Sequence, residues 1–395
     1  MHPEQPLTVR DWEVIPIIRG HVSISASATP ASASTEGVRI VRTGQRGLTN
    51  PVSEFAALMA TIREAGLLRR QRGFYIITFA AITLATAATF VGIYLLRDTW
   101  YTLILAGVMG VLFTQYAFMA HEASHRQVFE SGKANDLTGR VLADLFVGIS
   151  YSWWMTKHTR HHANPNTQGK DPDIETDFII FTKEHAEKVS SPVATFLARR
   201  QGWLFFPVLI FEGINLHQHA FVTVFSPRKK VDKRSLEIVL LAVRHLAFIS
   251  AVFLVMPLGM GFAFLGVQLA VFGLYMGASF APNHKGMPVL PKDSKVDFLR
   301  RQVLTSRNIR GGWYMNIFMG GLNYQIEHHL FPSMPRPHLK RAREITKEYC
   351  QSKNILYTEA NVLESYAIVI AYLNRVGLSA GGDPFDCPAA MRYGR

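Results

Sequence analysis

The stretch FYIITFAAITLATAATFVGIYLL (Phe74–Leu96) carries no charged side chain. Roughly 20 apolar residues suffice for a helix to cross the hydrocarbon core of a bilayer. A second uncharged run, Tyr101–Ala120, follows after only Arg97–Trp100. The pair therefore reads as a transmembrane hairpin. Two further runs, Ile238–Leu258 (apolar apart from Arg244 and His245) and Gly261–Ala281, repeat the arrangement across the short link Gly259–Met260. The expected fold is all-α and integral to the membrane. It has four transmembrane helices in two hairpins, separated by a long polar segment over 121–237.

Composition agrees. Of 395 residues, 48% are hydrophobic and 18% charged, low for a soluble protein, where about 25% is usual. Two cysteines, Cys350 and Cys387, exclude a disulfide scaffold and a cysteine-based zinc or iron–sulfur module. The net charge of +13 suits loops facing anionic lipid. There is no basic stripe with interleaved aromatics and no helix-turn-helix or zinc-finger spacing to suggest nucleic acid. Residues 1 to about 50 are rich in Ala, Ser, Thr and Gly and read as a mobile tail without a secretory signal. Residues 51–70 read as an amphipathic surface helix.

Lys and Arg orient the spans. Arg63, Arg69, Arg70 and Arg72 precede the first, Arg228 to Arg234 contribute five cations before the third, and Lys285, Arg300, Arg301, Arg307 and Arg310 follow the fourth. The hairpin tips carry one Arg. Both termini and the central segment are expected on the cytoplasmic side of the cell (inner) membrane. Val141–Met155 is short for a span, and Trp203–Phe225 carries Glu212, Asn215, His217, Gln218 and His219. Both are expected to be interfacial helices rather than fifth and sixth spans.

Most of the 15 histidines are clustered. His121-Glu-Ala-Ser-His125 follows the second span, with two imidazoles one helical turn apart. His158-Thr-Arg-His161-His162 and Gln325-Ile-Glu-His328-His329 repeat an i, i+3, i+4 spacing, with Gln325 at the first place of the latter. His284 lies three residues beyond the fourth span. The topology, derived without the histidines, puts all of these at one depth. Any single box reads more readily as a surface pair, but their convergence points to a metal centre. Eight imidazoles exceed the needs of one ion, so two ions are expected. Imidazole ligands without thiolates suit zinc, copper, iron or nickel; redox iron is the natural candidate, although spacing alone does not select it. HEASH also matches the zinc-protease pattern H-E-x-x-H, but a protease needs one further ligand and leaves the other boxes unexplained. Glu122 then reads as an acceptor orienting a ligand imidazole.

The set HEASH, HTRHH and QIEHHLFPSMPR (325–336) resembles the integral-membrane fatty acid desaturases. Its third box resembles the glutamine-containing subgroup, which includes front-end enzymes. NPNTQGKDPD (164–173) and APNHKGMP (281–288) are similar to bacterial acyl-CoA desaturases of the stearoyl-CoA type. The resemblance covers about 50–350, the desaturase domain proper, and leaves 351–395 as a C-terminal cytoplasmic segment.

The resemblance implies two non-haem irons held by His121, His125, His158, His161, His162, His284, His328 and His329. Gln325 is a further candidate, and Asn283 is a candidate holder of a metal-bound water or a plain turn residue. The implied reaction is O2-dependent desaturation of a fatty acyl chain, on an acyl-CoA or acyl-lipid substrate. The expected position is Δ9 of a saturated C16–C18 acyl-CoA; the alternatives are a front-end, Δ6-type enzyme acting on linoleoyl chains or a diiron membrane hydroxylase. An intramembrane protease or a metal transporter is more distant, because transporters hold their ligands within the spans. Tyr151, Trp153 and Trp154 are candidate tunnel linings or an interfacial aromatic belt. Lys157 and Arg160 are candidate phosphate contacts or plain juxtamembrane cations. No His-Pro-Gly-Gly haem signature, dinucleotide fingerprint or ferredoxin cysteine set occurs, so electrons are expected from a separate NAD(P)H-dependent reductase or carrier.

Overall fold

The computed structural model describes residues 53–175 and 178–381; the tail expected over 1–50 lies outside them. A surface helix α1 (Glu54–Glu64) leads into the hairpin α2 (Arg72–Leu95) and α3 (Thr102–Ser124). Next come α4 (Gly132–Arg140), a widened π-type turn over Val141–Val147, and α5 (Tyr151–Ala163). Short helices α6 (Lys183–Glu187), α7 (Pro192–Ala198), α8 (Gln201–Leu209) and α9 (Glu212–Phe225) precede the second hairpin, α10 (Arg234–Val255) and α11 (Leu258–His284). The remainder comprises α12 (Phe298–Leu304), β1 (Asn308–Arg310), α13 (Trp313–Phe318), α14 (Gln325–Leu330), α15 (Leu339–Ser352), β2 (Glu359–Asn361) and α16 (Val362–Leu378). Most of the described residues are helical, and β1 and β2 form a short parallel pair.

Among the described residues four helices, α2, α3, α10 and α11, are long and apolar enough to cross a membrane. This is a membrane protein of the expected all-α class. In α2 only Tyr75, Ile82, Thr89 and Ile93 are buried. The first three are seven residues apart, one stripe of a helix facing its neighbour. Ile76, Ile77, Leu84, Val91 and Leu95 remain exposed on the other faces, the distribution that hydrocarbon solvates. By contrast α3 is buried over most of its second half and packs on α11. A Cβ built on Gly110 would sit 2.8 Å from the Gln268 carbonyl oxygen and 3.0 Å from the Phe272 nitrogen. Small residues allow this close approach of helices where no hydrophobic drive operates.

The two central apolar stretches do not span. Trp203–Phe225 is divided between α8, of 9 residues, and α9, of 14, each shorter than the roughly 20 needed to cross. Their ends dock on α11 through glycines. A Cβ on Gly273 would lie 2.3 Å from the Gly213 nitrogen and 2.7 Å from the Leu209 oxygen. Both obstacles are backbone and cannot rotate away. Gly273→Val should therefore cost more than the ~1–3 kcal/mol usual for overpacking, seen as a lower melting temperature in detergent, whereas Gly266→Val, where nothing lies within 4 Å, should leave melting nearly unchanged.

The spans α3 and α11 run past their apolar stretches into the first histidine box and His284. The second half of the chain also joins the same body. α16, within the 351–395 segment, packs Val369 and Leu373 against Phe205, Leu209 and Ala281. Buried Arg307 ties it to the end of α11, with Nε donating to Ser365 Oγ at 2.7 Å and the guanidinium donating to the Pro282 and Lys285 carbonyls.

Candidate metal centre

Four backbone segments bring the boxes together. His121 lies in the last turn of α3 and His125 caps it. The second box is on α5, whose first turn is held unusually well. Tyr151 N–H donates to Asp144 at 2.8 Å, Ser152 N–H to Glu237 at 3.0 Å and Trp153 N–H to Ser150 Oγ at 3.2 Å. These three amides are among those a helix start leaves unpaired. Glu237 belongs to the span α10 and is itself fully buried against Arg140, so the second box is anchored to a membrane helix. The third box forms α14. Asn308, on β1, accepts the Ile326 N–H at 2.9 Å and donates to Glu327 at 2.8 Å, while the Tyr357 hydroxyl donates to the other Glu327 oxygen at 2.8 Å. Burial pushes the Glu327 carboxyl up to about 7.

The eight histidines resolve into two groups. His121, His125, His158, His162 and His328 form one; His161, His284 and His329 form the other; within each, one nitrogen per ring lies within 4.8 Å of the rest. His158 Nε2 lies 3.1 Å from His121 Nε2 and 2.7 Å from His125 Nε2. His161 Nε2 and His284 Nε2 are 3.3 Å apart. The Nε2 atoms of His328 and His329 and both nitrogens of His162 are buried with no hydrogen-bond partner among the described residues. Burial holds His158, His162, His328 and His329 well below the usual histidine range. They are neutral at ordinary pH, with lone pairs converging on each other. Bound cations would relieve this arrangement, and hydrogen bonds among the imidazoles alone would not.

The second group is oriented from behind. His284 Nδ1 donates to the Thr305 carbonyl at 2.9 Å and His329 Nδ1 to Gln302 Oε1 at 2.9 Å. His161 Nδ1 faces both oxygens of buried Asp171, at 3.0 and 3.1 Å. Burial alone would lower His161, but Asp171 and Asp173 outweigh it and raise the ring. In all three the Nδ1 partner fixes the tautomer that leaves Nε2 free for a metal. Gln302 also donates to the His162 carbonyl at 3.0 Å, so one amide links the second and third boxes. Losing such a partner costs roughly 10–100-fold in metal affinity. Asp171→Asn should lower metal affinity by about that factor, read by chelator competition, with the protein still folded.

The other candidates separate clearly. Gln325 Nε2 sits 2.9 Å from His284 Nε2, and its Oε1 accepts from Asn283 at 3.0 Å. Asn283 is fully buried in α11, and its Oδ1 has no partner among the described residues, so it is no simple turn residue. Glu122 does not orient an imidazole. It holds Arg336 through two buried contacts, 2.7 Å from Nε and 2.5 Å from a terminal nitrogen. Neither His217 nor His219 joins the histidine groups: His217 Nδ1 donates to the Gly213 carbonyl at 2.6 Å, and His219 stacks on Trp153 at 5.4 Å. Lys157 pairs with Asp173 at 3.0 Å, and Arg160 donates to the Lys170 carbonyl at 3.5 Å.

A cavity of about 830 Å³ meets the two groups. His158, His161, His284, Gln325 and His328 form one wall; Ile149, Trp153, Trp154, Phe205, Leu209, Met276 and Phe280 supply apolar surface. Tyr151 is not part of it; its ring packs against Gly139, where an added Cβ would meet it at 2.7 Å.

The family model for fatty acid desaturases matches residues 98–361. Among the relatives is a Δ8 fatty acid desaturase of Arabidopsis thaliana, 29% identical over 83% of this chain and 75% of its own length. An acyl-lipid (9-3)-desaturase of Physcomitrium patens is 27% identical over 83% of this chain and 63% of its own. A Δ6 fatty acid desaturase of Caenorhabditis elegans is 26% identical over 82% and 75%. The match spans both histidine groups and the cavity beside them: the chain belongs to the fatty acid desaturase family and is an oxidoreductase that desaturates fatty acyl chains.

Proposed function

We propose that this chain is a diiron front-end desaturase, inserting a double bond between an existing one and the carboxyl end of an acyl chain. The relatives named Δ8, (9-3) and Δ6 support this reading over the Δ9 acyl-CoA specificity expected from the NPNTQGKDPD and APNHKGMP wording. The observation that carries the chemistry is the pair of converging histidine groups opening on one apolar cavity.

In this reading His121, His125, His158, His162 and His328 hold one iron, and His161, His284 and His329 the other. Gln325 stands beside His284 as the remaining donor, directly or through water. When bound, iron supplies the redox chemistry that couples O2 to hydrogen abstraction. The balance is fixed: two hydrogens leave the chain, O2 becomes two waters, and two electrons with two protons come from a separate donor. The protein's part is to lay the methylenes against the histidine wall and to keep water away. Asp171, Thr305 and Gln302 hold the imidazoles in their metal-facing tautomer. The polar side of the spans is taken as cytoplasmic from the positive-inside rule, where NAD(P)H-linked reductases are available.

Expression in a host without its own front-end desaturase, with stearate, oleate and linoleate supplied, tests the assignment. New double bonds on the carboxyl side of the Δ9 bond of linoleate are the expected product. Oleate formed from stearate, with linoleate untouched, would contradict it.

A further inference from the structure

The short helix α13 (Trp313–Phe318) has the wrong composition for a helix that faces water. Its sequence, WYMNIF, carries no charge. Met315 and Met319, one turn apart, are buried with Phe118, Tyr275 and Leu322. On the outer side Trp313, Tyr314, Ile317 and Phe318 are all exposed, Trp313 to 78%. A surface helix of a soluble protein turns polar residues outward, and one that is apolar on both sides belongs inside protein or in lipid.

Hydrogen bonds from two membrane spans fix the depth of α13. Gln115, on α3, donates to the Ile317 carbonyl at 3.3 Å and to the Tyr275 hydroxyl at 2.8 Å. Tyr275, on α11, donates to the Phe318 carbonyl at 2.6 Å. Gln115 stands five residues before the uncharged run ends at Ala120, and Tyr275 six before its run ends at Ala281. Measured along the helix axes at about 1.5 Å per residue, the last turn of α13 lies about 7–9 Å inside the apolar stretch of both spans. Interfacial helices sink about 5–10 Å into the boundary between headgroups and acyl chains.

The same bonds account for two polar side chains within apolar spans. Carbonyls at a helix end have no partner in the helix, and hydrocarbon supplies none; Gln115 and Tyr275 do. Ile104, Val108, Val111 and Gln115 form one stripe of α3 at helical spacing, and the first three are exposed. Through Gln115 this lipid-facing stripe continues onto the outer face of α13.

We propose that α13 is inserted in the leaflet on the histidine side of the membrane and that lipid is the partner of its outer face. Acyl chains pack on Ile317 and Phe318, and Trp313 and Tyr314 sit at headgroup level. The insertion lies next to the third histidine box in the chain. Gly320 and Gly321, at φ +57° and +84°, turn the chain toward Gln325 of α14. A Cβ on Gly320 would lie 2.3 Å from Phe118 Cγ, so the turn between the inserted helix and the box has no room to open. The inference is independent of the acyl specificity proposed above.

The experiment puts p-benzoyl-phenylalanine into the full chain in place of Phe318. Separate preparations carry it in place of Ile104, on the lipid face of α3, and of Glu348, exposed on the charged α15. Each is photolysed in membranes, and the adducts are identified by mass spectrometry. Phospholipid adducts at Phe318 should match those at Ile104 to within about threefold and exceed those at Glu348 by at least about tenfold. Adducts with a second copy of the chain or with another protein in place of phospholipid, or no adduct above the Glu348 level, overturn the proposal. A second measurement follows the melting of Ile317→Asp/Phe318→Asp in lipid nanodiscs. Charge placed in a leaflet is costly, so the midpoint should fall by at least about 5 °C. A face in water would accept both carboxylates with little change, and an unchanged midpoint therefore also overturns the proposal.

Discussion

His161→Ala is expected to lower desaturation by at least about a thousandfold while the protein remains inserted and monodisperse. Losing a metal that supplies several kcal/mol of barrier reduction accounts for that factor, at about 1.4 kcal/mol per tenfold. His161 is the one imidazole in the three-membered group with a carboxylate behind it. Its ring stands between Asp171 and the His284 nitrogen, so alanine removes a proposed ligand and also leaves Asp171 buried without its imidazole partner. His328→Ala should be as severe, because His328 belongs to the five-membered group. His217→Ala should retain most activity, since His217 bonds within its own helix and touches neither group. The check is fatty acid analysis of membranes with matched protein levels. An active His161→Ala enzyme would remove this residue from the ligand set.

The second large effect is on stability. Glu122 and Arg336 are nearly inaccessible and bound to each other; Tyr75 adds a hydroxyl 3.4 Å from Glu122. Removing one member of a buried pair leaves an unpaired charge and costs about 3–5 kcal/mol, while replacing both by apolar residues of similar volume is often neutral. Arg336→Ala and Glu122→Ala should each melt far earlier than the wild type in detergent, and Glu122→Leu/Arg336→Met should recover most of the loss. If the double replacement were as unstable as either single one, the pair would have a role beyond charge compensation.

The spans were legible because a membrane leaves so few options for twenty apolar residues. The expected runs 74–96, 101–120, 238–258 and 261–281 match α2, α3, α10 and α11 to within a few residues. The outermost turns were not legible from hydropathy, because α3 and α11 carry their helix beyond the apolar run to deliver His121 and His284. Spacing marks seven of the imidazoles that enter the two groups, and His284 is marked only by its place just beyond the fourth span. Spacing did not divide them, since His161 and His162 are neighbours in sequence and fall into different groups.

What the sequence hid was the support behind the imidazoles. Asp171 sits within the quoted NPNTQGKDPD run, but nothing local marks it as the partner of His161. Gln302, Thr305 and Glu237 carry no motif at all; their roles arise from contacts across 27, 21 and 85 residues of chain. Glu122 misleads for the same reason. Its position inside H-E-x-x-H suggested work beside the imidazoles, while its partner Arg336 lies 214 residues away, at the end of the third-box wording. The segment after residue 350 lies outside the resemblance; yet Tyr357 braces Glu327, and β2 pairs with β1 beside the third box.

The central claim is that the two histidine groups are two iron sites. It is tested most directly by elemental analysis of protein purified aerobically from iron-replete cells, together with the iron content of His161→Ala and His328→Ala. The account predicts about two irons per wild-type chain, and a loss of about one with each substitution, since the two residues belong to different groups. Stoichiometric zinc in a fully active enzyme, or a single iron whose content both substitutions leave unchanged, would contradict it.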